Sequence, residues 1–480
     1  MKTYRIVFVL LFLFQFNTYS QVGIGTIDPH VSSILEMEST TQGVLTPRMT
    51  TLQKNAIATA VEGLLVFDTD EDAFYYFDSS AWVKLEGSVT RDNYKLVKSI
   101  ADLSDELVGG KYVLNEDYVY EINGTITFDY PIDLNGANMI GEDTGEDILI
   151  NGTGGALFSG ATGGRLKDLL IRGNGQQVFD ITGTGSENVI GYSIVITGAS
   201  SIGTLSDLGV VFFSVLQMVG SDDGLSVSNI NSFFVQSIFW TSNTGTCLTL
   251  SGSFGNLQIA NGRIVVESGD TGIDVSADPT ITISASLTGV NISGAGDRVN
   301  GYVGNTYPGY NFTNDWDVDC PGIPVETDSN AVGDANLNFS SGTGQNTTFS
   351  GNSVANKIQG TTVSNNLFRF SRDGNNRLVY EGKQKRYFTV TSSVSFQGVA
   401  PQSDGDTYVF YVAKGDSGDT VATPVLETGT ARQLGSNTDI GAVAVVGTVE
   451  LSPGDFIEIW VENYFQDDTL YIASINTVIR

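Results

Sequence analysis

The chain reads as mainly β, with a small mixed module first, a parallel β-helix in the middle and an antiparallel β-sandwich or jelly roll last. Three observations predict this. Gly supplies 56 of the 480 residues and charged side chains only 16%, and through the middle of the chain Gly, Ser, Thr, Asn, Val and Ile dominate with no long helical period after Ser99 to Val108. A short apolar phrase followed by Gly or Asn recurs through the middle third, and strict apolar/polar alternation takes over near the C-terminus.

Composition also excludes functions. A single histidine, His30, leaves no Ser-His-Asp or Cys-His site unless it serves, and it rules out multi-histidine metal sites. The formal charge of −30 argues against nucleic acid or an anionic membrane as partner, because phosphate binding draws on Lys and Arg.

Residues 1–20 carry Lys2 and Arg5, an apolar run from Ile6 to Phe14, and small residues at Thr18 and Ser20, the layout of a cleaved signal peptide. The run is too short to span a bilayer, so the mature chain is expected to have no transmembrane segment and to be secreted to the cell surface. Cys247 and Cys320 are then either a disulfide or buried small apolar residues.

Residues 21–88 form a module punctuated by Gly and Pro. Thr50 or Thr51 caps an expected helix over Leu52 to Ala60, with Gly63 after it. Leu64–Phe67 and Phe74–Phe77 flank Asp68 to Asp72 as a hairpin, with Trp82-Val83 as a third strand.

Residues 89–305 open on Ile100, Leu103 and Leu107 at helical spacing, an expected cap helix ahead of Gly109-Gly110. Apolar phrases follow, centred on Leu134, Ile150, Ile171, Ile196, Phe212, Ile238, Val265 and Ile292, with gaps of 16, 21, 25, 16, 26, 27 and 27. One short strand and one turn per unit at such periods is what a β-helix requires. A Gly-rich β-sandwich is the competing reading.

Residues 306–345 read as a polar linker, and 346–480 as the head. Phe388–Phe396 alternates apolar with hydroxyl side chains, Ile457–Asn463 alternates with carboxylates, and turns are expected at Asp373–Asn376, Ser403–Asp406, Lys414–Asp416 and Ser452–Asp455.

Three resemblances attach to these residues. Val22-Gly-Ile-Gly-Thr26, Asp28-Pro29, Gly43–Met49 and the aromatic Phe74–Phe77 series resemble the N-terminal region shared by secreted surface proteins of Bacteroidota, departing from it at Asp28 and Thr46. That resemblance implies export and surface attachment. The middle segment is similar in pattern to the pectate-lyase-type right-handed β-helix. Tyr380–Gly382, Arg386–Val390, Tyr408–Lys414, Leu451–Asp455 and Ile457–Glu462 resemble the complement/tumour-necrosis-factor-like jelly-roll heads, which implies a homotrimer.

Candidate chemistry is sparse. Asp315, Asp317, Asp319 and Glu326 stand at positions 1, 3, 5 and 12 of a calcium-loop template, but Cys320 replaces the Gly at position 6. They give an expected Ca2+ site that competes with an acidic linker. Asp68, Asp70, Glu71 and Asp72 offer a second cation site or a solvated hairpin tip. On the β-helix, Asp168, Asp180, Asp207, Asp222 and Asp223 with Arg165, Lys167, Arg172 and Arg263 are the groups a polysaccharide lyase or hydrolase would draw on. Adjacent Asp222 and Asp223 point to opposite faces if extended. Phe212, Phe213, Phe233, Phe234, Phe239 and Trp240 are either core ladders or surfaces that stack on sugar rings. The expectation is a trimeric fibre that displays its head to a glycan or another surface; a tailspike-like enzyme and a virion fibre are the alternatives.

Overall fold

The computed structural model describes residues 21–85, 92–339, 344–399, 405–436, 438–464 and 469–480. The expected signal peptide, and Ser403 and Asp404 of one expected turn, lie outside them. The chain forms two units, Met1–Asp92 and Asn93–Arg480.

In the first unit Val22–Ile24 pairs in parallel with Leu35–Met37. A four-stranded sheet runs in the order Arg48–Met49, Leu65–Asp68, Ala73–Phe77, Trp82–Lys84. The helix is only Thr51–Asn55. Thr50 caps it by a reciprocal capping box with Gln53. It stops short of Ala60 because the Ala56 amide already closes on the Leu52 and Gln53 carbonyls and Thr59 takes a φ of 57°, which ends helical backbone.

The second unit begins with a solenoid of about nine turns, whose strands stack in parallel. Each coil supplies three sheets. The first holds, for example, residues 163–167, 188–192 and 210–213, the second residues 169–172, 194–197 and 216–219, and the third residues 177–182, 201–206 and 225–228. Parallel pairing over this span removes the sandwich reading.

Inside, one ladder of the second sheet stacks Ile126, Leu149, Ile171, Ile196, Met218, Trp240, Ile264 and Ile292 in register, every member 3% exposed or less. Its spacings are 23, 22, 25, 22, 22, 24 and 28 residues. The two short gaps of the sequence reading have a simple origin: Leu134 lies outside the second sheet and Phe212 belongs to the first, so Met218 is the residue that stacks on Ile196.

Corners are turned by single residues in left-handed backbone. Asp168 and Ser193 separate the first and second sheets, and Asp207 and Asn229 the third and first, with φ between 50° and 55°. Short polar side chains of this kind visit that region more readily than others, and here Asn229 and Asp207 bond from coil to coil. Asn229 Nδ2 donates to Asp207 Oδ1 at 3.1 Å, and its Oδ1 accepts the Ser253 amide at 3.1 Å.

The expected amphipathic cap helix is instead a 3-10 helix, Ile100–Glu106, broken at Leu103 (φ −105°, ψ 17°). Leu103 seals the core at 0% exposure. Leu107 leaves the helix because Gly109 and Gly110, both at positive φ, fold Leu107–Val108 back as a hairpin on Lys111–Val113.

Residues 306–345 are not a free linker. Trp316–Asp319 adds a last rung on residues 285–288, with Trp316 and Val318 fully buried, and Gly333–Leu337 is already a strand of the head. The head is a two-sheet antiparallel sandwich. Leu470–Ile479 and Arg386–Gly398 centre one sheet, Phe456–Asn463 and Thr407–Gly415 the other. Phe388, Val390, Val394 and Phe396 pack between them against Phe410, Val412, Ile459 and Val461.

Candidate functional site: solenoid face and head junction

The four carboxylates of the calcium template do not converge. Along Trp316–Asp319 the side chains alternate, so Trp316 and Val318 enter the core while Asp317 points out to Lys383 at 2.6 Å. Asp315 accepts the Thr313 hydroxyl at 3.1 Å. Glu326 is 1% exposed and takes the Asn311 and Phe312 amides at 2.8 and 3.0 Å. Burial raises its pKa against those two amides. Among the described residues no group of three or more His, Cys, Asp or Glu is placed to hold a metal ion.

Of the Asp68 group, Asp70, Glu71 and Asp72 form an exposed turn, but Asp68 is not part of that solvated tip. Asp68 is fully buried, 2.7 Å from the Lys54 ammonium, which itself sits over the Tyr75 ring at 3.2 Å. Burial opposes ionisation, yet the Lys54 ammonium, the Thr51 hydroxyl and the Asp70 and Glu71 amides outweigh it and hold the carboxyl at about 2. Sequence spacing could not show this, since Lys54 lies on the preceding helix.

The solenoid carboxylates are scattered over different positions of the coils. Asp168 and Asp207 are corner residues; Asp223 Oδ1 accepts the Gly224 and Thr246 amides, both at 3.0 Å, while Asp222 is exposed. Asp180 stands outward on the third sheet in register with Ser159 and Thr204. Both cysteines are buried and free. Burial pushes the Cys247 thiol well up and the Cys320 thiol to about 11.

The six candidate aromatics divide evenly. Phe213, Phe233 and Trp240 are core, at 0% exposure. Phe212, Phe234 and Phe239 point outward. Phe212 and Phe234 share one ladder with Arg165, Ile190 and Gln258 on the first sheet. Beside it the Tyr192 ring lies 5.5 Å from Phe212 and 5.9 Å from the Arg165 guanidinium. Arg165 and Ile190 also line a shallow hollow with Asn138, Glu187 and Asn188.

The second feature that sequence reading missed is the junction of solenoid and head. Arg369, at 0% exposure, donates from Nη1 to the Asn314 carbonyl at 2.5 Å and from Nη2 to the Trp316 and Glu326 carbonyls at 2.6 and 3.2 Å. Its Nε lies 3.5 Å from Asp328. Asp328 Oδ2 accepts the Lys383 and Gln384 amides at 2.7 and 2.8 Å. Tyr307 donates to Glu381 at 2.7 Å, and Tyr310 stacks on Phe368 at 4.1 Å. The head is thereby fixed to the last coil, and the only signal in the sequence was a cation at 369 among uncharged neighbours.

The second unit is thus a solenoid joined to an antiparallel sandwich, with the buried Arg369 and Asp328 placed where the two meet. Residues 23–99 match the family described as the phage tail like trimerisation region, and this supports a homotrimer. No curated protein matches. Among solved structures, murine APRIL at pH 8.0 is 12% identical over 31% of this chain and 98% of its own, with a TM-score of 0.22. Eiger TNF from S. frugiperda is 9% identical over 31% and 92%, with a TM-score of 0.23. No helix among the described residues is long and apolar enough to cross a membrane.

Proposed function

We propose that the protein is an exported, homotrimeric, fibre-like binding protein that holds its jelly-roll head out to a glycan or another surface. The observation that carries this reading is the buried Arg369 junction, which makes solenoid and head one mechanical piece; a hinge would serve a moving lid, whereas a welded head serves display. The match of residues 23–99 to a trimerisation region supports three copies. Recognition is assigned to the head, since Asp168 and Asp207 are taken up by corners and Asp223 by a turn of the solenoid. Calcium is left to experiment: calorimetric titration into chelator-treated protein gives no heat if Glu326 stays on its two amides.

The same match favours a second reading, a fibre of a phage or phage-derived particle. The two share assembly and differ in destination. A glycan array with the full chain, run beside a reducing-sugar assay, tests the function: binding without sugar release supports the binding reading, and release of reducing ends overturns it in favour of a hydrolase.

A further inference from the structure

We infer that the outer face of the solenoid's first sheet is the surface on which the three copies meet. The inference rests on the trimeric reading above and adds the face that carries it. Three observations converge on this face.

The first is a contrast between faces of the same coils. On the first sheet Ile190, Phe212 and Phe234 stack outward in register. On the third sheet, over the same rise, the outward ladder is Asp180, Thr204, Ser226 and Thr249. The second sheet also turns Leu170, Val195 and Phe239 outward, but there Gln217 and Arg263 interrupt the ladder, so the unbroken apolar stack is that of the first sheet.

The second is charge. The chain carries −30, so approaching copies repel wherever their carboxylates face each other. In the middle of this sheet residues 163–167, 188–192, 208–213, 230–235, 254–260 and 284–288 contain no Asp or Glu and supply Arg165 and Lys167, and its carboxylates, Glu121, Asp317 and Asp319, stand on rungs toward its two ends.

The third is continuity. The match to the trimerisation region runs to residue 99, past Tyr94–Val97, which is the first rung of this same sheet. Tyr94 and Leu96 stand outward there, 38% and 40% exposed. A second copy fits the face better than a sugar does. Stacking on a sugar needs an open ring face, and Tyr192 already has Phe212 and Arg165 against it.

The test uses the full chain with one spin label per copy, at Gln258→Cys on the first sheet or at Thr249→Cys on the third sheet of the same coil. The native thiols are buried and stay unlabelled. Light scattering gives the assembly state and pulsed dipolar spectroscopy the distance between copies. The expected result is a trimer in which the labels at 258 lie closer together than those at 249, and in which Phe212→Glu with Phe234→Glu lengthens the 258 distance or dissociates the trimer. A trimer whose labels at 249 are as close or closer overturns the inference while leaving the trimer standing. Labels at 258 that are far apart and become immobilised only on adding oligosaccharide overturn it in favour of a glycan face. A monomer overturns the trimeric reading itself, and this face with it.

Discussion

Arg369 shows how one side chain can hold two architectures together. Its guanidinium satisfies three carbonyls at the end of the solenoid and faces Asp328, and its backbone sits at a φ of 57°, a cost that only surrounding contacts sustain. Arg369→Met removes the cation that faces Asp328 and one donor from each of those carbonyls, so stability is expected to fall by about 3–5 kcal/mol, read by urea denaturation followed in the tryptophan fluorescence. Asp68 supplies a pH signature. Its carboxyl is held at about 2 against an ordinary 3.8, so the stabilisation is complete above the ordinary value and drains away as pH falls through about 2. The first unit of the wild type is expected to loosen across that acid window, and Asp68→Asn to be weaker at neutral pH and flat across it; near-ultraviolet circular dichroism of both during acid titration checks this. How legible were these sites beforehand? The calcium template of Asp315, Asp317, Asp319 and Glu326 matched by spacing alone, yet strand alternation and the needs of the Asn311 and Phe312 amides sent its members to different places.

At the scale of the element, the solenoid is a ladder whose rungs must lie close. Gly262, at a φ of 109°, has no room for a side chain: a Cβ there would meet the Ile238 carbonyl oxygen at 2.0 Å. Gly262→Ala is expected to destabilise by more than the roughly 1–3 kcal/mol of backbone strain alone, because the clash is with backbone of the neighbouring coil. Gly269→Ala, also at positive φ but facing open space, should show the strain without the clash. Thermal unfolding of the two variants side by side measures the difference. Trp240 stacks between Met218 and Ile264 at 0% exposure, so Trp240→Ala opens a cavity expected to cost about 3–5 kcal/mol, and coil-to-coil coupling carries that loss to its neighbours. The recurrence of apolar phrases was readable here because each coil repeats the same burial. At the cap, Leu107 fits helical spacing in the sequence, while two glycines at positive φ draw it into a hairpin.

At the scale of the whole molecule, three unrelated ways of making β structure or short turns follow one another in one chain. The trimer is expected at micromolar concentration in light scattering of the full chain, and salt should strengthen it, since the −30 charge repels between copies and ions screen that repulsion. A trimer that instead dissociates on adding salt would mean that ion pairs hold it. The jelly-roll reading placed assembly in the head, whereas the match to a trimerisation region falls at residues 23–99.

By itself the sequence determined the class of each segment, since composition, the recurrence of apolar phrases and strict alternation are local properties that burial imposes on every coil and strand alike. Which aromatic faces inward, which carboxylate is spent on a corner, and that Arg369 rather than a linker joins head to solenoid were decided only by tertiary structure. Those outcomes depend on which residues become neighbours across 20 or more positions of chain, as Met218 does with Ile196, and register of that kind is set by packing rather than by any local pattern.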